Sequence, residues 1–176
     1  MTDSDAEGAL DLGRLLRALD AHGVAFVVVG GLAAIAHGSR RVTLDLDIVP
    51  DPAPENFRRL ADAVEELDLR DETVVDGEFQ RLDPRDEVDL ARSRNISLRT
   101  GVGRLDVLNR AKEAPPYREL EARSVRVPVA GVEVRVAGLD DLVAMKLASA
   151  RPKDLQDVAD VTAHEVGEYP PPPIGS

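Results

Sequence analysis

The clearest alternation of apolar and polar residues in this chain is the segment TLDLDIVP. Leu44, Leu46 and Ile48 occupy one parity, and Asp45 and Asp47 occupy the other. Because successive side chains of a strand point to opposite faces, the pattern predicts a strand whose apolar residues enter a core while both carboxylates emerge together. Two like charges on one face repel each other, and a cation between them relieves that repulsion.

Apolar residues spaced three and four positions apart predict helices on both sides of this strand. An N-terminal helix covers about residues 8–22, and C-terminal helices cover about residues 138–164. Further strands are predicted for VAFVVVGG and GRLDVLN, and for SVRVPVAGVEVRVAG, which contains a turn at Ala130-Gly131. Because strands and helices are mixed without strict alternation, the pattern favours an α+β (mixed α/β) class with a mixed sheet flanked by helices.

Length and composition fit one domain. The chain has 176 residues, of which 43% are hydrophobic. We assign residues 1–169 to a single domain and expect the proline-rich residues 170–176 to be a disordered tail. The acidic start lacks the apolar run of a signal peptide, and no apolar stretch is long enough to cross a bilayer. We therefore expect a cytoplasmic protein that does not contact membranes.

The charge balance opposes nucleic-acid binding over the surface as a whole. The net charge is -11, and nucleic-acid binding depends on Lys and Arg residues that neutralise phosphates. A local basic run contains four arginines: Arg92, Arg94, Arg99 and Arg104. This run either offsets the acidity for an RNA surface or forms a solvated hairpin edge. Cysteine is absent, which excludes disulfides and cysteine metal sites.

Paired carboxylates on one strand face are candidate metal ligands. Mg²⁺ is usually held by one or two carboxylates together with substrate phosphates. The alternative for Asp45 and Asp47 is a solvated strand face, but Asp is a poor strand former, which favours metal binding. The segment RLDVL repeats the alternation, so Asp106 supplies a third carboxylate if its strand neighbours the first. By itself, Asp106 would be an ordinary surface residue.

The glycine pair Gly30-Gly31 follows one strand and opens a helix. Free backbone N–H groups at a helix N-terminus attract anions, and glycine lets a phosphate approach closely. A simple tight turn is the alternative explanation.

A lysine interrupts an apolar stripe near the C-terminus. Lys146 continues the helical spacing of Leu139, Leu142 and Val143, which should face the core. It therefore either extends to solvent or meets a phosphate or a carboxylate. In the next helix, Asp154 lies in the first turn, where an ordinary capping role suits an acidic residue.

Together these motifs resemble the nucleotidyltransferase superfamily, whose best-known member is DNA polymerase beta. The family pattern is a glycine pair after the first strand, a linking helix, an Asp-x-Asp strand and a third Asp on a later strand. Here these parts read VVVGG, LAAIAHGSRRVT, LDLDI and GRLDVL. The segment LVAMKLASARPKDLQDV is similar to the AbiEii-like toxin nucleotidyltransferases of bacterial abortive-infection systems. The resemblance covers about residues 24–162.

The resemblance implies transfer of a nucleoside monophosphate from an NTP to a hydroxyl of an RNA, a protein or a small molecule, with Mg²⁺ or Mn²⁺ as cofactor. It assigns metal binding and catalysis to Asp45, Asp47 and Asp106. It assigns nucleotide binding to six residues: Gly30, Gly31, Arg40, Lys146, Lys153 and Asp154. It also implies a toxin with an antitoxin partner. The alternative is a catalytically weak nucleotide-binding or regulatory partner protein of the same fold.

Overall fold

The computed structural model describes residues 10–70, 73–75, 78–80, 83 and 85–163. The predicted tail, residues 170–176, lies outside the described residues. The described helices are α1 (Leu12–Ala21), α2 (Gly30–Ala36), α3 (Pro54–Glu66), α4 (Glu87–Arg92), α5 (Tyr117–Arg123), α6 (Leu139–Ser149) and α7 (Pro152–Ala163). The described strands are β1 (Phe26–Val29), β2 (Asp45–Pro50), β3 (Thr73–Val75), β4 (Glu78–Gln80), β5 (Asn95–Thr100), β6 (Gly103–Leu108), β7 (Val125–Val129) and β8 (Val132–Val136).

The eight strands of the described residues form one sheet in the order β4-β3-β5-β6-β2-β1-β8-β7. The β2–β6 and β1–β8 pairs are parallel, and the other neighbouring pairs are antiparallel. This mixed sheet with flanking helices confirms the predicted fold class. Throughout the described part of the chain, every helix is too short or too polar to cross a bilayer.

Local sequence signals explain where several helices begin. Asp11 is the N-cap of α1, because its side chain accepts a hydrogen bond from the Arg14 N–H at 3.0 Å. The helices α3 and α7 begin at Pro54 and Pro152, where a proline loses no helical hydrogen bond.

Different helices cover the two faces of the sheet. Leu46 and Ile48 of β2 are fully buried in a core that includes the apolar faces of α1 and α3. Val49 belongs to a second cluster, on the other face, with Leu120 of α5 and Met145 of α6. Asp45 and Asp47 have the same parity as Val49 along β2. Their side chains therefore point to the face of the sheet that carries α5 and α6.

Leu44 departs from the predicted pattern. Strand β2 begins at Asp45, whose partner on β6 is Arg104, and Leu44 lies in the preceding loop with 77% of its surface exposed. The expectation that Leu44 enters the core is wrong. Alternation in the sequence continues into the loop, but a strand exists only where a neighbouring strand provides hydrogen-bond partners.

Candidate active site

Three carboxylates lie on neighbouring strands near the centre of the sheet. In the parallel pair β2–β6, Asp47 is the register partner of Asp106, and Asp45 is the partner of Arg104. The intervening residues of both strands are fully buried on the opposite face. Asp106 therefore shares a face with Asp45 and Asp47, which is the arrangement that a common site requires.

The glycine pair lies directly against one of these carboxylates. Val29, the last residue of β1, is the register partner of Asp47. Gly30 has a φ of +65°, and a Cβ atom there would overlap the Asp47 carboxylate. The backbone N–H of Gly31 donates a hydrogen bond to the same carboxylate. The turn therefore needs glycine both for its backbone conformation and for its contact with Asp47.

Burial and neighbouring negative charges raise the pKa of two of the three carboxylates. Burial, together with the charges of Asp45 and Asp106, raises the pKa of Asp47 to about 7, although Gly31 and Lys146 act in the opposite direction. Burial also raises the pKa of Asp106, against a hydrogen bond from the Ser97 hydroxyl. Such shifts are typical of sites that concentrate negative charge for a function.

The guanidinium of Arg104 contacts two of the three carboxylates. It forms an ion pair with Asp45, and its Nε lies 3.5 Å from Asp106 Oδ1. Its side chain is 46% exposed. In the sequence, Arg104 belongs only to a local basic run. The register of β6 against β2 is what identifies it as part of the site.

The chemistry of the donor set fits a hard divalent cation. Carboxylate oxygens are preferred ligands of Mg²⁺, which commonly needs only one or two of them when phosphates supply other ligands. Within the ranges that the structure describes, no group of three or more His, Asp or Glu side chains is arranged to hold a metal ion. In this arrangement Arg104 is a counter-charge for Asp45 and Asp106. Metal binding by the three aspartates stays a prediction.

A cleft of about 1190 Å³ opens over the carboxylates. The glycine turn, the loop before β2, α6 and the start of α7 line it, and so do the exposed apolar side chains of Val42 and Leu44. The predicted nucleotide-binding residues line this cleft with one exception. Arg40 is exposed and does not line it, whereas the next residue, Arg41, does.

Lys146 belongs to a buried ion cluster between α6 and α7. Its Nζ lies 2.6 Å from Asp157 Oδ2 and 3.2 Å from Asp154 Oδ1, and these three side chains are at most 7% exposed. Burial pushes the pKa of Asp154 upward, but hydrogen bonds from Arg151, Ser149 and Lys146 lower it to about 2. The lysine on the apolar stripe therefore meets carboxylates of α7, not those of β2 and β6.

The same cluster connects α7 to the loop before β2. The Ser39 hydroxyl donates to Asp157 Oδ1 at 3.1 Å. Arg41 Nη1 donates to Asp157 Oδ1 at 3.3 Å and to the Lys153 carbonyl at 3.0 Å. Nothing in the sequence marks Ser39 or Arg41 as residues of the site, because these contacts join residues more than 100 positions apart. Through them, α7 is held against the loop that leads into β2, the strand of Asp45 and Asp47.

Gly30→Ala is expected to damage the site more than an equivalent change elsewhere. Gly23 is a matched control, because it has the same φ of +65° but no atom within 4 Å of an added Cβ. Gly23→Ala should cost only the left-handed backbone strain, about 1–2 kcal/mol. Gly30→Ala should cost more and should weaken Mg²⁺–NTP binding, because the methyl group displaces Asp47. Urea unfolding and calorimetry of both variants test this, and equal losses in the two variants would contradict it.

The mixed sheet, the glycine turn and the acidic pair beside a third aspartate match the motif pattern of the nucleotidyltransferases that the sequence resembles. The chain belongs to the family described as "Nucleotidyltransferase of unknown function (DUF6036)", which matches residues 10–166. The resemblance to this superfamily and the enzyme class are therefore confirmed. The closer similarity to AbiEii-like toxins stays a prediction.

Solved nucleotidyltransferase structures share the fold. The lincosamide antibiotic adenylyltransferase LnuA, with lincomycin bound, is 13% identical with a TM-score of 0.59, and the match covers 86% of this chain and 94% of that chain. ANT(2'')-Ia in complex with adenylyl-2''-tobramycin is 19% identical with a TM-score of 0.56, over 89% and 87% of the two chains. An antigenic nucleotidyltransferase-like protein from Paracoccidioides brasiliensis is 16% identical with a TM-score of 0.53, over 86% and 73%. Comparison with curated protein sequences gives no match.

Proposed function

We propose that this nucleotidyltransferase moves a nucleoside monophosphate from an NTP to an acceptor hydroxyl, with Mg²⁺ or Mn²⁺ as cofactor. The position of Asp47 supports this function most directly. Asp47 touches the glycine turn and is the register partner of Asp106. A phosphate at the turn would therefore lie next to a carboxylate that can share a metal with it.

Each group of residues has a role in this reaction. Asp45 and Asp47 would hold the metal, which, when bound, stabilises charge on the attacking and leaving oxygens. The acceptor oxygen forms a bond to the α-phosphorus while the bond to the bridging oxygen of the β-phosphate breaks, and pyrophosphate leaves. The hydroxyl proton passes to a carboxylate. Asp106 is the candidate for this role, either instead of binding the metal or in addition to binding it.

Basic residues on one side of the cleft suit the triphosphate. Lys146 on α6, Arg151 between α6 and α7, and Lys153 on α7 line the same cleft as the glycine turn. Lys146 acts over a distance, because its charge lowers the pKa of Asp47 while its hydrogen bonds go to Asp154 and Asp157. Asp154 would act through Lys146 as a positioning residue.

The acceptor is an RNA, a protein or a small molecule. The LnuA and ANT(2'')-Ia structures, an antibiotic adenylyltransferase and a complex with an adenylylated antibiotic, support transfer to a small-molecule hydroxyl on this fold. The toxin role with an antitoxin partner rests on the similarity of LVAMKLASARPKDLQDV to AbiEii-like toxins. A neighbouring gene for a small DNA-binding regulator would support that role.

Incubation with α-labelled NTPs, Mg²⁺ and a cell extract tests the function. We expect a labelled RNA, protein or small molecule that is absent when the metal is chelated. NTP binding without any labelled product would instead support the catalytically weak nucleotide-binding protein. Failure to bind any NTP in the presence of Mg²⁺ or Mn²⁺ would exclude both functions.

Arg104→Gln is expected to tighten metal binding in the absence of nucleotide. The guanidinium competes with a cation for Asp45 and Asp106. Since a half-exposed ion pair is worth up to about 1 kcal/mol, the gain should be roughly fivefold in affinity. Calorimetric titration with Mn²⁺ measures it. Arg126→Gln, which removes an exposed arginine paired with Glu133, is the control. Equal Mn²⁺ affinity in both variants would mean that Arg104 does not compete with the metal.

A further inference from the structure

The cleft differs in charge from the rest of the protein. Among the described residues, eight basic side chains and five carboxylates line it, although the chain has a net charge of -11. Two of the five carboxylates, Asp154 and Asp157, are buried and paired with Lys146. The other three are the candidate metal ligands. A cation bound by those three would leave the cleft strongly positive, so its remaining surface suits anions.

Some of these basic residues lie on two different sides of the carboxylates. The charges of Lys146 and Arg151 interact with Asp47, which touches the glycine turn. Arg99 lies on β5, and both β6 and β2 separate it from β1 and that turn. The register of Arg99 with Arg104 places it on the carboxylate face, and it lines the cleft.

A second arginine lies beside Arg99. The Arg70 N–H donates to the Arg99 carbonyl at 2.8 Å, and Arg70 also lines the cleft. The carboxylates of β2 and β6 thus lie between the glycine side and this arginine pair. If the triphosphate occupies the glycine side, the arginine pair faces the acceptor.

We propose that the acceptor carries a phosphate close to the hydroxyl that receives the nucleoside monophosphate, and that Arg70 and Arg99 bind that phosphate. This inference rests on the proposed function, since it places the NTP at the glycine turn. Arginine suits the role because its planar guanidinium donates two parallel hydrogen bonds to phosphate oxygens. A polycationic acceptor such as an aminoglycoside is disfavoured at the same positions.

A phosphate of this kind occurs in an RNA strand and in a small phosphorylated molecule, and binding experiments on the full chain separate these sources. The protein is first saturated with Mg²⁺ and a nonhydrolysable analogue of each NTP in turn. Short fluorescent single-stranded RNA is then titrated by anisotropy, and glucose 6-phosphate by calorimetry. Glucose and tobramycin are the neutral and cationic comparators. If the protein binds the RNA but not glucose 6-phosphate, the acceptor is a nucleic acid. If it binds glucose 6-phosphate, the acceptor is a small phosphorylated molecule.

The test variant is Arg70→Gln with Arg99→Gln. Arg14→Gln with Arg118→Gln is the matched control, because it removes the same charge from exposed positions outside the cleft and outside the basic run. We expect the phosphate probe to bind the test variant roughly tenfold more weakly, with NTP-analogue affinity unchanged. If RNA is the probe, the salt slope should fall by about 1 for each lost phosphate contact. The control variant should match the parent.

Several results would overturn this inference. One is that the test and control variants bind the phosphate probe equally well. Another is that glucose or tobramycin binds as tightly as the phosphate probes. A third is that no phosphate probe binds to the nucleotide-loaded protein. Failure of every NTP analogue to bind the parent is a different result, because it rejects the proposed function. The phosphate probes are still compared between the variants in that case, so the arginine pair is judged separately.

Discussion

Asp47→Asn is expected to lower nucleotide transfer by at least roughly 100-fold while the protein stays folded. The substitution keeps the shape of the side chain and its capacity to accept the hydrogen bond from the Gly31 N–H. It removes the negative charge that a metal ligand needs at the point where the glycine turn meets the sheet. Transfer of label from an α-labelled NTP measures the loss.

The same substitution should leave the metal-free protein at least as stable as the parent. Asp47 is crowded by Asp45 and Asp106, and an uncharged side chain relieves that repulsion. Melting curves with and without Mg²⁺ plus NTP separate the two effects, with Asp62→Asn, an exposed change of equal charge on α3, as control. Equal stabilisation of parent and Asp47→Asn by Mg²⁺ plus NTP would place the metal site elsewhere.

Lys146→Ala is expected to destabilise the protein by roughly 1–3 kcal/mol, because the buried Asp154 and Asp157 lose their shared cation and keep only Arg151 and Arg41 as charged partners. From the sequence alone, a phosphate-binding lysine would be replaced with little effect on stability. The structure changes that expectation, since the ammonium bonds two carboxylates on the next helix. Urea unfolding measures the difference in free energy.

Lys153→Ala is the control for this prediction. It removes the same charge from an exposed side chain that lines the same cleft. Its effect on the free energy of unfolding should stay within about 0.5 kcal/mol. Both variants should weaken NTP binding if both charges act on the triphosphate. A loss of stability below about 1 kcal/mol in Lys146→Ala would show that the buried cluster contributes little to the fold.

Motifs that lie close together in the chain could be predicted from the sequence. The parity of β2 separates Leu46 and Ile48 from Asp45 and Asp47, and burial follows that separation. The Ala130-Gly131 turn joins two strands that pair as a hairpin. These features depend on periodicity and turn chemistry within a few residues. The nucleotidyltransferase resemblance was recognisable because its motifs are of this local kind.

Short elements and loops were less predictable. Helix α5, Tyr117–Arg123, buries only Tyr117 and Leu120, so its apolar pattern is too brief to show a period. In the loop before β2, nothing in the sequence distinguishes Arg40 from Arg41. The contacts of Arg41 with Asp157 and with the Lys153 carbonyl decide which of the two lines the cleft.

The sequence by itself determined the strand that presents Asp45 and Asp47, the glycines after β1, and the inward position of Lys146 on α6. Only the tertiary structure decided that Asp106 lies beside Asp47, that Arg104 pairs with Asp45, and that Lys146 meets α7. The physical reason is that side-chain periodicity is set by the local backbone geometry. Strand order, register and helix contacts are set by packing between segments that are far apart in the chain, and the site is assembled from those contacts.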